Sequence, residues 1–242
     1  MVEDPQSLRW FMQQLSAAGQ MHEVSRRVDP RFEISALLGL REAGPAQHFR
    51  HVAGSGVSVA GNLLNARGRF ARGLGIAVQD LDAHCARAVE ATIPPVVVED
   101  APVQEVVHPA PLDLGTLLPV PTWFEREEGP YITAGVIVAK DPETGLRNVS
   151  IARLRLEGGG RMMAGIARNH HLFILAEKAR AMGRKLEIAV AIGNHPAVLL
   201  ASQMYVKLGE DEFDIAGDSW ANRCGWCGAG RSVWRFRPGP RS

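Results

Sequence analysis

The stretch 131–156, YITAGVIVAKDPETGLRNVSIARLRL, constrains the fold more than any other part of this chain. A run rich in β-branched residues and an alternating run flank Asp141-Pro142-Glu143-Thr144-Gly145. Proline early and glycine late is the chemistry of a tight turn. Residues 131–139 and 147–156 are therefore predicted to return on each other as a hairpin. A hairpin needs a second layer, and the following sequence offers one. Residues 171–182 read as a helix that Gly183 ends. Residues 186–192, LEIAVAI, form a continuous apolar run and read as a buried strand. A further helix is expected to start behind Pro196. Gly158-Gly159-Gly160 reads as a turn, since no G-K-[ST] follows it.

The first part of the chain alternates helices and strands. Residues 4–18 place Leu8, Phe11, Met12 and Leu15 at helical spacing. Residues 29–43 do the same with Ile34, Leu37, Leu38 and Leu40, and Gly44-Pro45 stops them. Short strands are predicted at 48–52 and 57–60, a helix starting within 65–74, and another helix over 79–92. Arg67, Arg69 and Arg72 read as a solvated helix face. The proline-rich segment 94–121 reads as a crossing between two parts. The fold class is thus α/β (α+β): a small N-terminal α/β domain over 1–110, then a β-rich domain over 115–218.

Composition narrows the function classes. The chain has 242 residues and a net charge of +1, so nothing global suggests nucleic acid or an anionic membrane. No apolar run approaches the roughly 20 residues that span a bilayer. The N-terminus lacks the apolar core of a secretory signal. Three cysteines make no disulfide framework, and a reduced, cytoplasmic setting is expected. Residues 219–242 form an atypical tail without a period and, from Ala221 on, without an acid. A shifted reading frame in a GC-rich gene would give such a composition, and an uninterrupted native frame in the nucleotide sequence would refute it. The tail holds Cys224 and Cys227 at C-x-x-C spacing. A redox pair is the alternative to coincidence there, but no buried strand precedes it and no second C-x-x-C completes a zinc site. An insulin-reduction assay with thiol titration separates the two.

Asn148, His171 and Glu212 could together ligate a hard divalent cation, because oxygen-rich ligation with one imidazole suits Mg or Mn. Their spacing alone is uninformative. The same residues also read as a turn asparagine, a helix-start histidine and a solvated glutamate. Of the adjacent His170 and His171, only one can point inward.

The strings around these residues resemble the UbiD-type decarboxylases. The likeness runs through GPYITAGVIVAKDPETGLRNVSIARLRL, NHHL, AVAIGNHPAVLLAS and Ala216-Gly217, and upstream through HFRHVAGSGVSVAGNLLNARGRFARGLG. It covers roughly residues 5–218. The resemblance implies a split β-barrel of flavin-reductase type, here incomplete, for 115–218. It implies a non-oxidative carboxy-lyase of aromatic or α,β-unsaturated acids that uses prenylated FMN. Asn148, His171 and Glu212 then match ligands of Mn2+ (or Mg2+) at the cofactor phosphate. The carbonyls of Ala201, Ser202 and Met204 match ligands of K+, together with Glu212. Asn148, Val149, Ser150, Ile151, Ala152 and Arg153 match the strand along the flavin. Arg153 matches the catalytic arginine that faces the substrate carboxylate, a task suited to a planar guanidinium. His170 matches a position beside the cofactor, and the pattern favours His171 as the inward histidine. A separate flavin prenyltransferase would supply the cofactor, and a homo-oligomer is implied. Asn148 and Arg153 are five residues apart, so a regular strand aims them at opposite faces, and both meet one cofactor only if the strand bulges or the cofactor wraps its end. The family's proton-donating glutamate has no counterpart before the chain departs at about Asp218. Little turnover by this chain alone is therefore expected. The alternative is a flavin- or phosphate-binding module without turnover.

Overall fold

The structure is a computed structural model and describes residues 5–95, 103 and 105–217. Its first elements are α1 (Leu8–Ala17), β1 (Met21–Val28), α2 (Glu33–Leu40), β2 (Ala46–Val52), β3 (Val59–Gly61) and α3 (Arg67–Leu74). Then come α4 (Leu81–Glu90), α5 (Leu114–Leu117), β4 (Tyr131–Ile132), β5 (Val136–Lys140) and β6 (Arg147–Ile151). The last are β7 (Leu154–Leu156), β8 (Met162–Ala164), α6 (His171–Ala181), β9 (Ile188–Ala191) and α7 (Pro196–Ala201). A helical turn follows over 212–217. The mixed α/β expectation is borne out. The strands make three three-stranded sheets, ordered β1-β2-β3, β4-β7-β8 and β6-β5-β9. Among the described residues no helix is long and apolar enough to cross a membrane. The tail with Cys224 and Cys227 lies outside the described residues.

The chain divides into two compact units, each discontinuous in sequence. The first takes its described residues from 1–78, 108–133 and 153–164. In it, α1 starts at Ser7, whose hydroxyl accepts the Trp10 N–H at 3.1 Å, a standard N-cap. Helix α1 buries Phe11 and Leu15, and Val28, Ile34, Leu38, Phe49 and Val52 form a second cluster. Strand β1 was not legible in the sequence. It is paired only to β2 and buries Val28 alone, so it carries no apolar alternation to read. Arg69 corrects the reading of a solvated arginine face. It is buried, and its guanidinium donates to the carbonyls of Asn62 and Gly44 and to Asn65 Oδ1. Those acceptors satisfy the donors that burial strips of water.

The second unit takes its described residues from 79–107, 134–152 and 165–217. Its core holds Ala88, Val136, Val149, Ala191, Val198, Ala201, Phe213, Ile215 and Ala216. Strand β5 is central, antiparallel to β6 on one side and to β9 on the other. The expectation of a buried strand at 186–192 is corrected. Strand β9 is a sheet edge, and Ile188 and Ile192 are each about two-fifths exposed, 43% and 41%. An apolar run alone cannot distinguish an edge from a centre.

The predicted hairpin is present but each arm breaks in two. Strands β5 and β6 pair around the Asp141 turn in the second unit, whereas β4 pairs with β7 in the first. The breaks fall at Thr133–Gly135 and at Ala152–Arg153.

Gly217 is a packing requirement of the second unit. A Cβ there would collide with the backbone carbonyl of Ile93, which cannot swing aside as a side chain could. Gly217→Ala is expected to destabilise the chain by about 1–3 kcal/mol. Urea unfolding measures this, and an unchanged midpoint would contradict it.

Candidate functional site

The site begins with the turn. Asp141 Oδ1 accepts the N–H groups of Glu143 and Thr144 at 2.8 and 3.3 Å, and Gly145 takes φ 75°, which glycine allows without strain. This fixes the register that sets Ala139 opposite Asn148 and Val138 opposite Val149. Lys178 of α6 bonds Asp141 Oδ2 at 2.7 Å and Glu143 at 2.8 Å, tying the helix to the turn. The pairing holds the Asp141 carboxyl below its ordinary range, mainly through the Lys178 hydrogen bond.

Strand β6 is a sheet edge, and an edge leaves backbone donors without a neighbouring strand. Glu212 covers this one. Its Oε2 accepts the Val149 N–H at 2.6 Å and its Oε1 accepts Asn148 Nδ2 at 2.8 Å. Glu212 is 4% exposed, and burial pushes its carboxyl up to about 7 despite those two donors. The sequence offered a solvated glutamate as one reading of this residue; the structure buries it. Because Glu212 takes the Asn148 amide nitrogen, Asn148 Oδ1 faces away, buried and without a hydrogen-bond partner. A buried carbonyl oxygen left bare costs about 1–3 kcal/mol, which a cation would repay.

His171 opens α6, half-buried, while His170 precedes it as an exposed N-cap with φ −82° and ψ 144°. Helix α6 packs on β5 and β6, so the elements bearing Asn148 and His171 are neighbours. Its first turn has no acidic residue and no side-chain cap, leaving N–H groups and a helix dipole that suit an anion. Among the described residues no group of three or more His, Cys, Asp and Glu side chains gathers. The Asn148, His171 and Glu212 set depends on its amide oxygen for a third donor.

Ala201, Ser202 and Met204 lie where α7 ends, and Ala201 and Met204 pack in the same core as Val149 and Phe213. The Ala201 carbonyl accepts from Met204 N–H at 3.0 Å and that of Ser202 from Gln203 Nε2 at 3.0 Å. Each carbonyl retains a second lone pair. His195, which the sequence reading passed over, caps α7. Its Nδ1 accepts the Ala197 N–H at 3.1 Å, and burial lowers its pKa to about 3, so the ring is neutral.

Along β6, Ser150 and Ile151 are half-buried and Ile151 packs on the core. Ala152 and Arg153 then leave the strand, so no bulge within a regular ladder is involved. Three arginines lie close in sequence here, and two are committed. Arg147 pairs with Asp211, and Arg155 pairs with Glu128 and Glu157. Arg153 is exposed and has no ion pair or hydrogen bond among the described residues. It belongs to the first compact unit, whereas Asn148 and Glu212 belong to the second.

Comparison with known proteins adds the following. Residues 96–222 match the 3-octaprenyl-4-hydroxybenzoate carboxy-lyase Rift-related domain, and residues 12–89 match the N-terminal domain of the same carboxy-lyase. A UbiD-class enzyme, HmfF from Pelotomaculum thermopropionicum, was solved as an evolved dimeric form with prFMN. It is 41% identical, with a TM-score of 0.86 over 88% of this chain and 50% of that one. Vanillic acid decarboxylase from Sedimentibacter hydroxybenzoicus, in closed form, is 27% identical with a TM-score of 0.85, over 90% of this chain and 49% of its own. Anhydromevalonate phosphate decarboxylase from Methanothermobacter thermautotrophicus is 38% identical over 162 residues, 67% of this chain and 37% of that protein. The chain spans about half the length, or less, of each of these relatives.

Proposed function

The chain belongs to the UbiD family of carboxy-lyases, and from that premise we propose that it carries the cofactor-phosphate end of a prenylated-FMN decarboxylase site. The observation that carries this reading is Asn148 Oδ1, buried, unpartnered and fixed in direction by Glu212. Asn148, Glu212 and His171 would hold Mn2+ (or Mg2+), an oxygen-rich set with one imidazole. The uncapped start of α6 suits the cofactor phosphate. The carbonyls of Ala201, Ser202 and Met204 would take K+ through their spare lone pairs. Val149, Ser150, Ile151, Ala152 and His170 would line the flavin. The solved relative with prFMN supports that cofactor.

The substrate is an aromatic or α,β-unsaturated carboxylic acid. Prenylated FMN, when bound, supplies the electron sink for the pair released as CO2 departs. Arg153 binds the carboxylate and orients it, its guanidinium without an ion pair or hydrogen bond among the described residues. No described residue is assigned the proton that must return to the substrate carbon. The dimeric relative supports a homo-oligomer, and a flavin prenyltransferase would supply the cofactor.

Co-expression with a flavin prenyltransferase tests the reading. The purified chain is expected to be coloured and to yield prenylated FMN by mass spectrometry. A colourless chain with no flavin would contradict it. A loaded chain that releases no CO2 from any cinnamic- or hydroxybenzoic-type acid would instead be a flavin-binding module.

A further inference from the structure

Glu212 can orient Asn148 only if its own segment is held in register with β6. The residues immediately before each of them form a second rung. Arg147 Nε and Nη2 both reach Asp211 Oδ2, at 2.7 and 2.5 Å. The other oxygen, Oδ1, accepts the Phe213 N–H at 2.9 Å, so Asp211 also caps the helical turn that begins at Glu212. The guanidinium lies over the Phe213 ring at 5.0 Å from its centroid. Both side chains of the pair are under a fifth exposed, 18% and 17%, so water competes weakly for either. One carboxylate thus joins a helix start to an edge strand, one residue away from the rung Asn148–Glu212.

We propose that Arg147 and Asp211 are positioning residues, which hold the Glu212 carboxylate on Asn148 and Val149 and so aim Asn148 Oδ1. Neither touches the cation. The inference rests on the metal reading above for its consequence, but the register claim stands on the two rungs alone. Partners that orient metal ligands typically change metal affinity by about 10–100-fold when removed. Asparagine at 211 retains an oxygen for the cap but loses the charge for Arg147. Lysine at 147 retains one charged contact, although not the two-nitrogen grip.

The test uses the full chain, unmodified and as Arg147→Met, Arg147→Lys, Asp211→Asn and the Met/Asn double variant. Two quantities are read: Mn2+ affinity by electron paramagnetic resonance, and hydrogen-exchange protection of the Val149 amide. Arg147→Met and Asp211→Asn are each expected to weaken Mn2+ binding by about 10-fold or more and to speed Val149 exchange. The double variant should be no worse than either alone, because the two act as one unit. Arg147→Lys should recover part of both. Amides of β1 in the other unit report whether the fold as a whole is intact. Unchanged Val149 protection in both single variants would overturn the proposal, whatever the metal does. An unmodified chain that binds no Mn2+ would overturn the metal reading, while Val149 exchange would still decide the clamp.

Discussion

Glu212→Gln is expected to lower Mn2+ affinity by more than the roughly 10–100-fold lost when a residue that only orients a ligand is removed, because it takes away the anionic member of the proposed set. It should also change the pH dependence of the metal-free chain. Burial raises the Glu212 carboxyl from 4.5 to about 7. Below pH 4.5 the folded and unfolded chains both hold this proton. Between 4.5 and 7 the unfolded chain releases it and the folded chain retains it. Stability therefore falls as pH rises through that window, by about 3 kcal/mol in all, and levels off above 7. Mn2+ must displace the same proton. Its affinity should climb toward tenfold per pH unit below 7 and flatten above it. Glu212→Gln removes the Glu212 share of both slopes. The glutamine can accept only one of the two hydrogen bonds from Asn148 and Val149, so absolute stability also drops, and the slope is the diagnostic quantity. Urea unfolding and Mn2+ titration at pH 5, 6, 7 and 8 give the comparison. A slope undiminished by the substitution would assign the titration elsewhere.

Arg153→Ala is the second large effect. Arg147 and Arg155 are engaged in ion pairs, so neither guanidinium can substitute for Arg153 without breaking its own contacts. Losing charge-assisted hydrogen bonds to a carboxylate costs about 1.5–3 kcal/mol, which is roughly 10- to 150-fold in affinity for the acid. Affinity of the cofactor-loaded protein for a cinnamic- or hydroxybenzoic-type acid is read from the flavin absorbance, and any CO2 release is followed beside it. Mn2+ affinity should not change, since Arg153 is no part of that set. A variant that loses Mn2+ and the acid together would make Arg153 a structural residue.

Much of the site-bearing unit was legible because its chemistry is local. The Asp141 turn, the stop at Gly183 and the helix behind Pro196 each depend on residues within a few positions. The family likeness brought Asn148 and Glu212 together, and spacing could not have done so across 64 positions. What stayed illegible was decided by neighbours far along the chain. Strand β1 carries no apolar period because its register shifts between Val24 and Arg27 and only Val28 of it is buried. Arg69 sits among polar letters yet is buried, since the Gly44 carbonyl, from 25 residues back, converges on it with the Asn62 and Asn65 oxygens of the loop before it. The breaks at 133–135 and 152–153 divide two β-type runs between two units; Gly135 marks the first, and no glycine or proline marks the second. The Arg147–Asp211 pair had one signal: each residue directly precedes a member of the proposed metal set.

Asn148 Oδ1 is buried without a hydrogen-bond partner, and the proposed cation would complete it. Anomalous diffraction at the manganese edge, from crystals grown with Mn2+ and prenylated FMN, tests it most directly. A peak is expected within about 2.0–2.6 Å of Asn148 Oδ1 and of a Glu212 oxygen, the range of hard cations on oxygen, with His171 in its coordination sphere. A peak elsewhere, with Asn148 Oδ1 bonded to a protein group, would contradict it.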